Sequence, residues 1–296
     1  MKDNKQEWKG TTIGGYNGQR YLWLLIRVLG LRTMYFFSAL SIPFFVIVNN
    51  KETRAIMKYY RKRGNSVVCS FLKVFKNNFI FSQMMFDRLA VMNGDDNFNI
   101  EIINNEVFEQ HINNEKGFML CHSHVGNSEL TGFLLHQNKK TINSVIFGNE
   151  NPKIIEKRAE ILKQRNIKII SAHNDMTHIF KIKNALDNDE IVSIHCDRIF
   201  GSNKSTKVPF LNDKITLPLG PFIIAAQAEV DMLALFTMRD GYRNYKLYIC
   251  NINPNNECNN IREKATSLAL SYASKLEKIL YKYPDQWFNF FDIWKI

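Results

Sequence analysis

Apolar positions crowd the first third of the chain and then settle into an alternating pattern. Tyr21 to Ile26 and Thr33 to Val48 are two apolar runs with Arg27 and Arg32 between them. The second run covers about 16 residues and contains Pro43, short of the roughly 20 that cross a bilayer. Lys58, Arg61, Lys62 and Arg63 follow soon after, and basic residues beside an apolar segment attract anionic lipid. The pattern predicts a segment lying on or dipping into a membrane, with a buried core hairpin as the alternative. Lys51 to Arg63 reads as an amphipathic helix, and Val67 to Val91 continues with helical spacing. Gly94-Asp95-Asp96-Asn97 is a turn.

Beyond that turn, strands and helices alternate. Phe98 to Ile103 predicts a strand and Asn105 to Asn113 a helix; Ile142 to Phe147 a strand and Pro152 to Gln164 a helix, with Asn151 as its cap and Pro152 at its first position. Ile167 to Ile170, Ile191 to His195, Met232 to Met238 and Tyr245 to Ile252 read as further strands. Asp175 to Asp187, Gly220 to Ala228 and Ile261 to Tyr283 read as helices. Such alternation implies an α/β fold, a mixed, largely parallel central sheet flanked by helices. The expected division is a membrane-associating N-terminal segment over 1–66 and an α/β domain over 67–296.

The chemistry is densest between Gly117 and Leu130. Phe118, Met119, Leu120 and Cys121 form a short apolar run of buried-strand type, followed by His122, Ser123 and His124. Gly126, Asn127 and Ser128 are turn and cap residues, and Glu129 opens a helical pattern. On a continuous helix His124 and Glu129 would not face each other. With His124 on the loop and Glu129 in the first helical turn, the carboxylate can meet the ring, fix its tautomer and leave Nε2 basic. That pair would deprotonate an alcohol attacking an acyl group. The plainer alternative is two loop histidines and a helix-terminal charge.

His195, Cys196, Asp197 and Arg198 end a second predicted strand, and sites in such sheets lie outside the strands' carboxyl ends. Asp197 and Arg198 are otherwise a surface turn pair. A metal-dependent hydrolase using Cys121, His122, His124, His195 and Asp197 is a second reading of the same residues.

Composition narrows the partners. The formal net charge of +11 favours an anionic one, whether nucleic acid, membrane surface or acidic carrier. The positive charge is spread out, and no nucleic-acid-binding motif accompanies it, so a non-enzymatic basic membrane binder is the third reading. Five scattered cysteines suggest no disulfide framework and a reducing compartment.

With these residues in hand, the chain resembles the late acyltransferases of lipid A synthesis within the lysophospholipid acyltransferase superfamily. The resemblance begins at Trp8-Lys9-Gly10 and the glycines Gly14, Gly15 and Gly18. It centres on His124-x4-Glu129 and continues through Asp197-Arg198 with Gly201, Val208-Pro209-Phe210-Leu211 and Leu217-Pro218-Leu219-Gly220-Pro221-Phe222. It ends on Tyr283-Pro284-Asp285-Gln286-Trp287-Phe288-Asn289-Phe290-Phe291-Asp292-Ile293-Trp294. It implies acyl transfer from an acyl carrier protein or coenzyme A thioester to a hydroxyl of a lipid acceptor, such as a lipid A precursor, a lysophospholipid or an aminolipid. It also implies a place on the cytoplasmic face of a bacterial inner membrane and no bound cofactor or metal.

On that basis His124 is the expected base, Glu129 its orienting acid, and the N–H groups near Gly126 and Asn127 the oxyanion donors. Arg165, with Arg158 nearly as good a match, and Asp197 and Arg198 are expected at the acceptor's polar head or holding the site together. Gly220 is expected to allow close backbone approach, with Pro221 to Ala226 walling an acyl channel or packing as ordinary core. Surface lysines and arginines would dock the acidic carrier. Trp287 to Trp294 fits core packing and membrane-interface anchoring equally.

Overall fold

The strand carrying Met119–His122 is buried along its whole length, and the rest of the α/β domain is arranged around it. The structure is a computed structural model describing residues 15–134, 139–147, 152–172, 177–199, 204–255 and 257–295. In chain order the elements are α1 (Gly15–Val48), α2 (Asn50–Lys62), α3 (Val67–Met92), β1 (Asn99–Ile103), α4 (Asn105–Asn113), β2 (Met119–His122), α5 (Ser128–Leu134) and β3 (Ile142–Phe147). They continue with α6 (Pro152–Lys163), β4 (Ile167–Ala172), α7 (Thr177–Asp187), β5 (Ile191–His195), β6 (Ser205–Phe210), β7 (Asp213–Pro218), α8 (Gly220–Ala228), β8 (Met232–Arg239), β9 (Asn244–Ile252) and α9 (Ile261–Lys282). A short 3-10 turn, Ile293–Lys295, closes the description. Trp8 to Gly14, Asn151 and Gly201 lie outside the described residues.

Seven strands form one sheet in the order β1-β9-β8-β2-β5-β3-β4. Every neighbouring pair is parallel except β8 with β9. The mixed, largely parallel α/β fold read from the alternation is therefore the fold observed. Successive strand residues point to opposite faces, and both faces of this sheet are covered. Met119 and Cys121 join the core beneath α8, α9 and the β6–β7 hairpin, while Phe118 and Leu120 join the core on the α4 side. β5 and β8 alternate the same way, with Val192, Ile194, Met232 and Ala234 on the first face and Ile191, Leu233 and Leu235 on the second. Strands covered on both faces need continuous apolar runs, which is what these segments contain.

Three parts of the chain differ from expectation. The apolar leader is two helical stretches joined across a kink at Gly30 (φ 77°, ψ 160°), where only glycine is at ease; the kink falls between the two expected runs, but the whole is longer than they suggest. Arg20–Val48, 29 residues, is long and apolar enough to cross a membrane. Leu24, Val28, Phe36, Phe37, Leu40, Phe44 and Ile47 are exposed along it, and Val67, Val68, Phe71 and Leu72 extend the exposed apolar surface onto α3. The β6–β7 hairpin has no counterpart in the sequence pattern, because its turn is Leu211-Asn212, both at positive φ (49° and 61°), and lacks the glycine that marks such turns. Glu277 secures it by accepting the Leu211 N–H at 2.8 Å. Finally, in the C-terminal aromatic block Trp287, Phe288 and Ile293 are buried and Phe290, Phe291 and Trp294 pack half-buried against the same core, which favours the core-packing side of the expectation.

The leader is fastened to the domain by a buried charge. Asp87 of α3 accepts from Tyr35 of α1, from Tyr245 of β9 at 2.6 Å and from Arg239 Nε of β8 at 3.3 Å. A fully buried carboxylate is tolerated because each of these donors compensates its lost hydration. The basic residues after the leader are partly committed to the protein itself: Lys58 pairs with Asp292 at 2.8 Å and Lys62 with Asp213.

Candidate active site

β2 and β5 are adjacent and parallel, with His122 in register opposite His195. Their carboxyl ends therefore stand side by side, and the loops that follow carry His124 and Asp197. His124 Nδ1 lies 2.9 Å from Asp197 Oδ1, and the His124 backbone N–H donates to Asp197 Oδ2 at 2.6 Å. One carboxylate so fixes both the ring and the backbone of the same histidine. A carboxylate only accepts, so the ring proton sits on Nδ1 and Nε2 is the basic nitrogen. Asp197 is 4% exposed and the His124 ring 26%, which hides the acid and leaves the base reachable.

The electrostatics agree with that division. Burial raises the Asp197 carboxyl, but His124 and then Arg198 outweigh it and hold it well below the usual carboxylate range. Burial lowers the His124 imidazole, and Asp197 only partly restores it, so the ring is neutral and basic at neutral pH.

The expected meeting of Glu129 with the His124 ring is not the arrangement found. Glu129, in the first turn of α5, is ion-paired with Arg88 of α3 and with Arg158 Nη2 of α6 at 3.7 Å. Its side chain is 40% exposed. Burial raises its carboxyl, but Arg88 and then Arg158 hold it down at about 2, so it stays anionic beside the base. The carboxylate that the spacing suggests thus contributes charge near the imidazole, and Asp197, distant in sequence, makes the hydrogen bond.

Of the two arginines that match the expectation, Arg158 is the one that reaches Glu129. Arg165 donates to the Phe133 carbonyl at 2.7 Å and covers that ring, which ties the end of α5 to the turn after α6. Arg198 donates to the Phe288 carbonyl at 3.2 Å and stacks over Phe291; burial pushes it down to about 10 despite Asp197. Asn127 is buried, its amide donating to the Met84 carbonyl at 3.0 Å. The two N–H groups expected at an oxyanion are engaged elsewhere: Gly126 donates to Gln286 O at 2.8 Å and Asn127 to Thr237 O at 2.7 Å. Gly220 makes no close approach, since a Cβ there would meet nothing within 4 Å. Phe222, Ala225 and Ala226 of α8 are buried core. Among the described residues no group of three or more His, Cys, Asp or Glu is arranged to hold a metal.

Several residues hold the site in ways the sequence does not indicate. Gly126, at φ 63°, brings its backbone so close to β8 that a Cβ would lie 2.2 Å from Thr237 O. The C-terminal segment then pairs with the loop in an antiparallel bridge between Val125 and Trp287, with the Phe288 N–H donating to His124 O at 2.9 Å. Gln286 clamps the end of β8: its Oε1 accepts the Arg239 N–H at 2.9 Å, and its Nε2 donates to Arg239 O at 2.7 Å. Arg88 has only helical spacing to place it, and nothing in that spacing points to Glu129.

Two more imidazoles complete the cluster. The His195 ring lies 4.9 Å from that of His124 and 5.7 Å from that of His122. Burial lowers His122 to about 4, against the pull of Asp197, and lowers His195 to about 3 with help from both neighbouring rings. Between pH 6.5 and 4 the unfolded chain therefore binds protons at these positions that the folded chain refuses. Stability falls with pH across that window, by about 1.4 kcal/mol per pH unit for each such histidine. Melting temperatures measured from pH 7 to pH 4 are expected to drop steeply in the wild type and less steeply in a His122→Leu variant. An unchanged slope in the variant would contradict the buried neutral ring.

Comparison with known proteins places the chain in a family. The family model for bacterial lipid A biosynthesis acyltransferases matches residues 65–296. No curated protein matches the chain. Among solved structures, the 1-acyl-sn-glycerophosphate (LPA) acyltransferase PlsC from Thermotoga maritima aligns with 86% of this chain and 96% of its own. The sequence identity is 11% and the TM-score 0.42, a likeness too distant to add to the family match.

Proposed function

Because the chain belongs to the bacterial lipid A biosynthesis acyltransferase family, we propose that it moves a fatty acyl chain from an acyl-carrier thioester to a hydroxyl of a lipid acceptor. The observation that carries the mechanism is the 2.9 Å contact between His124 Nδ1 and Asp197 on a reachable loop between two strand ends. His124 Nε2 takes the acceptor's hydroxyl proton as that oxygen attacks the thioester carbonyl. The tetrahedral intermediate collapses, the C–S bond breaks, and the imidazolium returns the proton to the departing thiolate. Asp197 keeps the ring in the productive tautomer and steadies its transient charge. Glu129, anchored by Arg88 and Arg158, adds negative charge that favours the imidazolium.

The donor in this reading is an acyl carrier protein or coenzyme A thioester. The net charge of +11 suits an acidic carrier and an anionic membrane surface alike. The acceptor is a lipid A precursor or a lysophospholipid or aminolipid. The exposed apolar face of α1, continued by the first turns of α3, holds the protein on the cytoplasmic face of a bacterial inner membrane, where such acceptors reside. Mass spectrometry of lipids from a strain lacking this protein tests the proposal. One lipid species is expected to lose a single acyl chain and to regain it when the wild-type protein is restored. An unchanged lipid profile would count against acyl transfer.

A further inference from the structure

Two polar groups beside the base play no part in the mechanism so far. They are Ser128, the first residue of α5, and His195, the last of β5. His195 Nε2 lies 3.0 Å from Ser128 Oγ, and the His195 ring rests against that of His124. His124, Ser128 and His195 are all partly exposed, while Val125, Asn127, Leu130 and Cys196 around them are buried. The base and this pair are therefore both within reach of solvent. Attack on a thioester places negative charge on the carbonyl oxygen, and that oxygen needs donors. The N–H groups of Gly126 and Asn127 are engaged with Gln286 and Thr237 and are not available.

We propose that Ser128 is a further catalytic residue, whose hydroxyl donates a hydrogen bond to the thioester carbonyl oxygen as the tetrahedral intermediate forms, and that His195 is the positioning residue that holds it. The His195 Nε2–H donates to Ser128 Oγ, which leaves the serine hydrogen for the substrate. No proton changes hands at this pair; the only proton transferred is the one His124 collects. Burial and the two neighbouring rings keep His195 neutral, so it offers a fixed N–H and does not compete with His124. The inference rests on the acyl-transfer reading and assigns the second half of the same site.

The test is hydrolysis of palmitoyl-coenzyme A by the full-length protein, in which water stands in for the lipid hydroxyl and the same oxyanion forms. Ser128→Ala is expected to lower kcat about a hundredfold with KM nearly unchanged, the signature of an interaction made in the transition state. Ser128→Thr keeps the hydroxyl, and His195→Gln keeps a donor at the Nε2 position, so both should stay within about tenfold of wild type, whereas His195→Phe should resemble Ser128→Ala. A Ser128→Ala enzyme with near wild-type kcat, or Ser128→Thr losing as much as Ser128→Ala, would overturn the assignment. His124→Ala in the same assay separates the two levels. If it is inactive while Ser128→Ala works normally, only the serine assignment fails; if it is fully active, the acyl-transfer mechanism itself fails.

Discussion

An Asp197→Asn enzyme is expected to fold and to lose about a thousandfold or more of its acyl-transfer rate. Asp197 accepts from the His124 ring and from the His124 backbone at once. An asparagine has one oxygen and one amide nitrogen to offer to those two positions. If its oxygen keeps the backbone N–H, its NH2 faces Nδ1 and draws a lone pair there, which moves the ring proton to Nε2. The base is then protonated where it must be basic. The anion that steadied the imidazolium is lost as well, and inside a low-dielectric site that loss is felt strongly. Because the volume is unchanged and only one charge is removed, the melting temperature should move far less than the rate. Glu129→Gln provides the contrast. It breaks ion pairs with Arg88 and Arg158 at a side chain that is 40% exposed, so the stability change is small. The His124 tautomer is untouched, and the rate should fall about tenfold, the effect of a nearby charge and not of a hydrogen-bonded partner. Steady-state transfer rates of the two variants, measured beside their melting curves, rank the two carboxylates; a Glu129→Gln loss exceeding that of Asp197→Asn would reverse the assignment.

Much of the fold is legible in the sequence because local chemistry and burial point the same way. Asn105–Asn113, Ile142–Phe147, Ile191–His195 and Gly220–Ala228 have the bounds that hydrophobic spacing and turn residues indicate. That the histidines sit at strand carboxyl ends also follows from pattern alone, since apolar runs closed by polar residues mark the ends of buried parallel strands. What pattern does not supply is partnership. Closeness in sequence suggests Glu129 as the partner of His124, whereas the β2–β5 register brings Asp197 to the ring from 73 residues away. Glu129 in turn is held by Arg88, whose helix is packed there by contacts that no local window contains. The same limit applies to Arg158 and Arg165, which lie on and just beyond one helix; packing of α6 against the site decides which guanidinium reaches Glu129.

The hairpin and the tail illustrate a second kind of omission. Leu211-Asn212 adopts left-handed backbone without glycine, held by Glu277 from α9, so Asn212-Asp213 is the whole local turn signal. Trp287 to Trp294 has the aromatic composition of an interfacial belt, yet the backbone of Phe288, with that of Gln286 just before the segment, is hydrogen-bonded to the His124–Gly126 loop. Composition alone does not distinguish an aromatic that anchors in lipid from one that seals a core. The consequence for function is direct: the last described segment of the chain sets the position of His124 and Gly126. On the other side, Asp87 fastens α3 to the apolar α1, while its neighbour Arg88 holds Glu129. The helix that bears the apolar surface is therefore joined to the site by two adjacent residues.

The proposed mechanism turns on whether the His124 imidazole removes the acceptor's proton. Its Nδ1 is committed to Asp197, its pKa is lowered so that it is neutral at physiological pH, and its ring is reachable from solvent. In the proposed mechanism, removing it takes away the base and the acid that serves the leaving thiolate, and leaves only the positioning of the two substrates. The deciding measurement is the initial rate of transfer of a radiolabelled acyl chain from its carrier thioester into extracted membrane lipid, with purified wild-type and His124→Ala proteins of equal melting temperature. A loss of about a thousandfold or more in the variant is predicted; a rate within a few fold of wild type would contradict the account.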